Sequence, residues 1–156
     1  MMGSMTEDHP RVAFPPPLAF AAALAATWLL SRYLPLGVRG RDVSGIGWLV
    51  MVAGLALAAS GVLTFRRRGT NVNPYKPALG IVATGPYRFT RNPMYLGMVV
   101  FTAGFGLTLV TLWGPIVAVG LGILLDVFVV RREEAYLSEK FGADYAALCD
   151  RTRRWL

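Results

Sequence analysis

Two stretches hold most of the side chains that could do chemistry. The first is Arg88, Arg91, Asn92 and Pro93 with Tyr95 behind them, inside GPYRFTRNPMYLG at 85–97. Asn before Pro reads as a helix start: Asn caps well, and proline suits the first helical position, where a missing N–H costs nothing. The amides of Met94, Tyr95 and Leu96 then point out of a helix end that carries partial positive charge and binds anions. Arg88 and Arg91 add full charges beside it. The plainer reading is an ordinary capped helix with arginines on lipid phosphate.

The second stretch is RREEAYLSEKFGADYAAL at 131–148, preceded by Asp126. Glu133 and Glu134 follow directly on an apolar run. Asp126 lies within that run, two helical turns before Glu133, so the two acids are expected on one face. An acid inside an apolar span is costly and is a functional candidate by default. Its plainer reading is a partner for an arginine or a backbone donor; that of the glutamates is a solvated helix face with i,i+4 pairs.

Both stretches need elements to position them. The 156 residues are 54% hydrophobic and carry a formal charge of +7, with a mean hydropathy of +0.48. One all-α integral-membrane domain is expected. Four apolar segments appear: Pro17 to Leu36, Ile46 to Phe65, Pro93 to Thr111 and Pro115 to Val130. Lipid offers the backbone no partners, so each is read as a transmembrane helix. The parsing is a polar tail at 1–14, two helices within 15–65, a cytoplasmic loop at 66–92, a helical hairpin at 93–130 and a cytoplasmic helical segment at 131–156. The opening MMGSM reads as a cloning remnant, and without a plausible cleavage site the first apolar segment is expected to stay in the membrane.

Basic residues cluster in the long loop (Arg66 to Arg68, Lys76, Arg88, Arg91) and after the last span, against only Arg32, Arg39 and Arg41 in the first connection. The positive-inside rule puts both termini and the loop in the cytoplasm, in a membrane of the bacterial inner type. This distribution also favours anionic lipid over nucleic acid as the basic residues' partner. The loop is long, but its Tyr75, Ile81, Val82, Tyr87 and Phe89 argue against disorder. Gly114, Ala118 and Gly122 form a small-residue face on the fourth helix, read as plain packing before a lipid-tail path. A lone Cys149 excludes an internal disulfide, and one His with one Cys excludes a zinc site. GIVATG at 80–85 lacks dinucleotide-fingerprint spacing.

The order KPALGIVATGPYRFTRNPMYLG, then a tight hairpin, then EEAYLSEKFGADYAALCDRTRRWL resembles the small membrane methyltransferases grouped as isoprenylcysteine carboxyl methyltransferases and phospholipid N-methyltransferases. The resemblance covers about 70–156 and rests on the combination of GPY, R-x-P-x-Y-x-G and EE-x-x-L-x-x-x-F-G-x-x-Y. It implies S-adenosylmethionine bound without a Rossmann fold, and a lipophilic acceptor. Carried over by position, the cofactor-binding residues are Leu79, Gly80, Ile81, Val82, Tyr87, Asn92, Pro93, Met94, Tyr95 and Glu133. Tyr87 and Tyr95 can face the sulfonium or adenine, and Glu133 can pair with the ammonium or a ribose hydroxyl.

Two departures stand out. Asn92 replaces the family's usual His, which leaves a binding role but removes a base near neutral pH. Val129 stands where the carboxyl methyltransferases carry the Arg that holds the substrate carboxylate. Asp126 would instead suit an amine-bearing acceptor, with Asp126 or Glu134 as its base, while Arg91 could take over a carboxylate. The competing readings are a sterol-type membrane reductase using NADPH and a non-catalytic membrane scaffold.

Overall fold

The structure is a computed structural model and describes residues 8–40 and 42–156; MMGSM and the topological residue Arg41 lie outside them. The order is α1 (Pro16–Tyr33), α2 (Val43–Arg67), a 3-10 turn (Gly85–Arg88), α3 (Pro93–Thr108), α4 (Trp113–Leu125), a π-helical stretch (Asp126–Val130) and α5 (Arg131–Arg151). The described residues contain no strand, only two isolated bridges, Gly37 to Thr111 and Thr90 to Arg153. The all-helical expectation holds. Two helices are long and apolar enough to cross a membrane, Val43–Arg67 and the continuous run Trp113–Arg151, while Pro93–Thr108 is apolar but shorter.

Glycines decide how α2 meets α3. Gly47, Gly54 and Gly61 stand seven apart on α2, as do Gly97 and Gly104 on α3. A Cβ at Gly54 would run into the backbone of Phe101 and Gly97, one at Gly97 into Ala58, and one at Gly104 into Met51 and Gly47. The two backbones therefore touch, the arrangement small residues permit where no hydrophobic effect drives helices together. The expected α3–α4 hairpin forms the same way at its closed end, with Gly106 against Gly114. Gly122 lies toward Val99 of α3, so the small-residue face of α4 is used for packing.

α3 ends three residues earlier than expected. Thr111 N–H donates to Gly106 O and Val110 N–H to Leu107 O, both at 3.0 Å, which is a Schellman closure. The residue in the left-handed position is Val110, with φ 55°, where glycine is the usual occupant. A β-branched residue there costs about 1–2 kcal/mol, partly offset on replacement by glycine's larger unfolded-state entropy. Val110→Gly should raise stability by up to about 1 kcal/mol, read by thermal unfolding in detergent, with the site untouched.

One expectation fails at the far end of the fourth helix. The segment after Val130 is helical as expected and continues directly from α4 through the π stretch, until Gly142 turns it with φ 48° and ψ −117°. The widened turn moves Glu133 off the face of Asp126, since one extra residue rotates everything beyond it by about 100°.

The long connection is ordered by its own side chains. Asn71 Nδ2 donates to Pro77 O at 2.7 Å, Leu79 N–H to Thr70 Oγ1 at 3.2 Å and Ala78 N–H to Tyr136 Oη at 3.2 Å. The core lies nearby, around Leu125, Val129 and Val130, which are fully buried, with Tyr95 and Leu121. Away from it, Trp48, Leu49 and Val52 of α2 and Val119 and Ile123 of α4 are exposed. Such apolar cover without a partner marks a surface that water does not face.

Candidate active site

The 3-10 turn, the start of α3, the start of α5 and the loop from Thr70 to Val82 enclose a hollow of about 110 Å³. Its wall includes Gly80, Ile81, Val82, Tyr87, Asn92, Met94, Tyr95 and Glu133 from the sequence-derived cofactor set, and Arg91 and Glu134 from the catalytic set. Leu79 and Pro93 are outside the lining: Leu79 is exposed, and Pro93 is buried under the helix start. Asp126 is also outside it, and Arg88 is exposed away from it.

Each wall has a local cause. Gly85, with φ 60°, opens the 3-10 turn that swings Tyr87 inward, where its ring stacks on Phe65 at 4.7 Å between centroids. Tyr87 Oη is buried without a hydrogen-bond partner, and burial, with the Glu133 charge, pushes the phenol above its ordinary range. Pro93 starts α3 as expected, but Asn92 does not cap it with its side chain. Asn92 Nδ2 instead donates to Arg154 O at 3.0 Å, an acceptor far along the chain that local sequence does not reveal. Asn92 O takes the Leu96 amide at 2.9 Å. Pro93 has no N–H, so the amides this end can offer are those of Met94 and Tyr95.

Across the hollow, Tyr95 Oη donates to Glu133 Oε1 at 2.7 Å. Glu133 is half-buried and lines the hollow. Burial pushes its carboxyl up to about 7, against the pull of the Tyr95 hydrogen bond, and the neighbouring Glu134 charge adds to the rise. A carboxyl so placed is short of a positive partner.

Glu134 is in the opposite position. Arg91 Nη2 lies 2.9 Å from its Oε1, and Arg154 Nη2 lies 2.6 Å from its Oε2. Arg154 also reaches Asp126 Oδ1 at 3.4 Å, Trp155 Nε1 donates to the same oxygen at 3.0 Å, and Arg131 holds Asp126 Oδ2 at 2.9 Å. Asp126 does not line the hollow beside Glu133 as expected: its oxygens are held by Arg154, Trp155 and Arg131. Glu134 is thus gripped by two guanidinium groups, one on each carboxylate oxygen.

Sequence reasoning missed Phe65, Arg154 and Trp155. Phe65 had a signal, a bulky aromatic just before Arg66 at the membrane border. The tail residues had none, because their contacts lie roughly 20 to 60 positions away. The tail at the other end also joins the site. Pro10 lines the hollow, Tyr136 Oη donates to Asp8 Oδ1 at 2.8 Å, and Lys140 pairs with Asp8 at 2.7 Å.

With this geometry in view, the similarity to known proteins takes on meaning. The family described as phospholipid methyltransferase matches residues 43–144, so the match includes α2 and stops before the tail. Protein-S-isoprenylcysteine O-methyltransferase A of Arabidopsis thaliana is 30% identical over 108 residues, covering 66% of this chain and 53% of that protein. The chain thus spans about half the length of this curated relative. Such a family implies a methyl donor, and a family match over well more than half of the sequence means that this chain belongs to the phospholipid methyltransferase family.

Proposed function

We propose that the protein is an integral-membrane methyltransferase that takes S-adenosylmethionine in the hollow and a lipophilic acceptor from the bilayer. α1, α2, α3 and α4 with its π-helical extension are the four membrane helices, with both termini and the loop from Arg68 to Asn92 on the cytoplasmic side. The basic residues gathered at that end support this orientation.

The observation that carries the reading is the Glu133–Tyr95 pair facing Tyr87 across one hollow. The donor and acceptor set suits the cofactor. Among the described residues no cation pairs with Glu133, which would receive the ammonium or a ribose hydroxyl. Tyr87 Oη and Arg91 Nε are buried without partners, and with the amides of Met94 and Tyr95 they can meet a carboxylate or adenine acceptors. The cofactor supplies an electrophilic methyl on a positively charged sulfur. The Tyr87 and Tyr95 rings provide faces for that charge, Phe65 and Val82 keep water away, and the enclosing wall fixes the approach line. Glu134 serves here to set Arg91 in place, not as a base.

Calorimetry with S-adenosylhomocysteine on the detergent-purified protein tests the cofactor. Binding of NADPH instead would favour the reductase, and binding of neither would favour the scaffold. Labelled methyl donor incubated with the protein and a lipid extract then identifies the acceptor class. Tyr95→Phe deletes one charge-assisted hydrogen bond and keeps the ring, so S-adenosylhomocysteine affinity should fall about tenfold with the melting temperature in detergent little changed.

A further inference from the structure

We infer that Arg154 is a positioning residue for the site: its guanidinium shares Glu134 with Arg91, and its carbonyl fixes the start of α3. After α5 the chain turns extended at Thr152 and runs beside Thr90. Arg91 N–H donates to Arg153 O at 2.9 Å, Thr90 Oγ1 to Arg154 O at 3.1 Å and Asn92 Nδ2 to the same carbonyl at 3.0 Å. One residue therefore joins the two walls of the hollow, the helix start through its main chain and the acid pair through its side chain. This link adds to the direct contacts between the walls, Arg91 with Glu134 at 2.9 Å and Tyr95 with Glu133 at 2.7 Å, and it supplies the acceptor that the Asn92 side chain takes instead of capping α3.

The sharing has an electrostatic consequence. Glu134 divides its two oxygens between two arginines, so it neutralises neither fully. Arg91, the one of the two that lines the hollow, keeps a share of its charge and a free Nε–H. Without the Arg154 guanidinium, both oxygens of Glu134 become available to Arg91. A bidentate pair is the favoured geometry, and it would draw Arg91 toward Glu134 and away from any ligand. Arg154 touches no ligand itself and acts through Glu134 and Arg91.

The binding readout rests on the proposed cofactor, so a ligand-free readout accompanies it. Arg154→Met should weaken S-adenosylhomocysteine about tenfold, and Arg154→Lys should recover most of that loss, since it restores a charge to Glu134. In a Glu134→Gln background, Arg154→Met should add less than about twofold, because the route through Glu134 is already cut. Hydrogen exchange in the protein without ligand should show the amides of 90–95 opening faster once residues 152–156 are removed, with α2 unchanged. Additive losses in the double variant, or wild-type binding by Arg154→Met, would overturn the side-chain role. Unchanged exchange on truncation would overturn the main-chain role. If the wild-type protein binds no S-adenosylhomocysteine while truncation still speeds exchange at 90–95, the cofactor reading falls and the linkage of the two walls stands.

Discussion

Glu133→Gln should reduce S-adenosylhomocysteine binding by at least about a hundredfold and abolish methyl transfer, while the protein remains folded in detergent. Glutamine has nearly the same shape, and its carbonyl can still accept from Tyr95 Oη, so the 2.7 Å contact survives. What is lost is the charge. The carboxyl titrates at about 7 because burial removes its hydration, and a cationic ligand restores what burial removed. The pH dependence has a definite sign. A carboxyl raised from 4.5 to about 7 favours the folded state when protonated. The ligand-free protein should therefore lose stability as pH rises from about 4.5 to about 7, by an amount on the order of 3 kcal/mol. Ligand affinity should move oppositely, increasing with pH up to about 7 and levelling off above, since only the ionised carboxylate attracts an ammonium. Glu133→Gln should flatten both profiles. It should also melt higher than wild type at pH 8 in the absence of ligand, because it carries no buried charge to desolvate. Retained binding in Glu133→Gln would remove Glu133 from the site.

That pairing was legible as a position in a motif but not as a contact. The apolar runs announced the helices, and Asn92-Pro93 announced where α3 begins, because these are local properties of the chain. The loop's aromatic content rightly excluded disorder, since Tyr87 does bury itself against Phe65. Local reasoning stopped where the chain turns back on itself. It gave Asn92 a capping side chain that in fact serves Arg154. It put Asp126 and Glu133 on one face by counting α-helical turns, and the π stretch Asp126–Val130 breaks that count without a proline or glycine to signal it. The role of Arg154 could not be read from its basic neighbours Arg151 and Arg153, because only long-range contact distinguishes it. One unread signal was in plain view: the seven-residue spacing of glycines on α2 and α3.

That spacing sets up a contest between two effects on one residue. Gly54→Ala improves helix propensity by roughly 1 kcal/mol, so a helix considered alone would gain stability. The bundle should lose instead. The new Cβ meets the main chain of Phe101 and Gly97, and backbone cannot swing aside as a flexible side-chain tip can. Separating two packed helices by even a methyl forfeits contacts along the whole α2–α3 seam, at a cost of roughly 1–3 kcal/mol, which outweighs the propensity gain. Gly54→Val adds two more methyls and a β-branched side chain, and no folded protein should be recovered. Gly120→Ala provides the internal comparison, because a Cβ there meets nothing and only the propensity term remains, so its melting temperature should rise or stay level. The damage at Gly54 should also reach the hollow, about three turns away along α2. Phe65, at the end of α2, is the stacking partner of Tyr87, and a displaced α2 withdraws one wall from the other. Gly54→Ala should thus melt lower and bind S-adenosylhomocysteine more weakly than Gly120→Ala in parallel detergent measurements. Equal behaviour of the two variants would mean that α2 and α3 do not meet backbone to backbone.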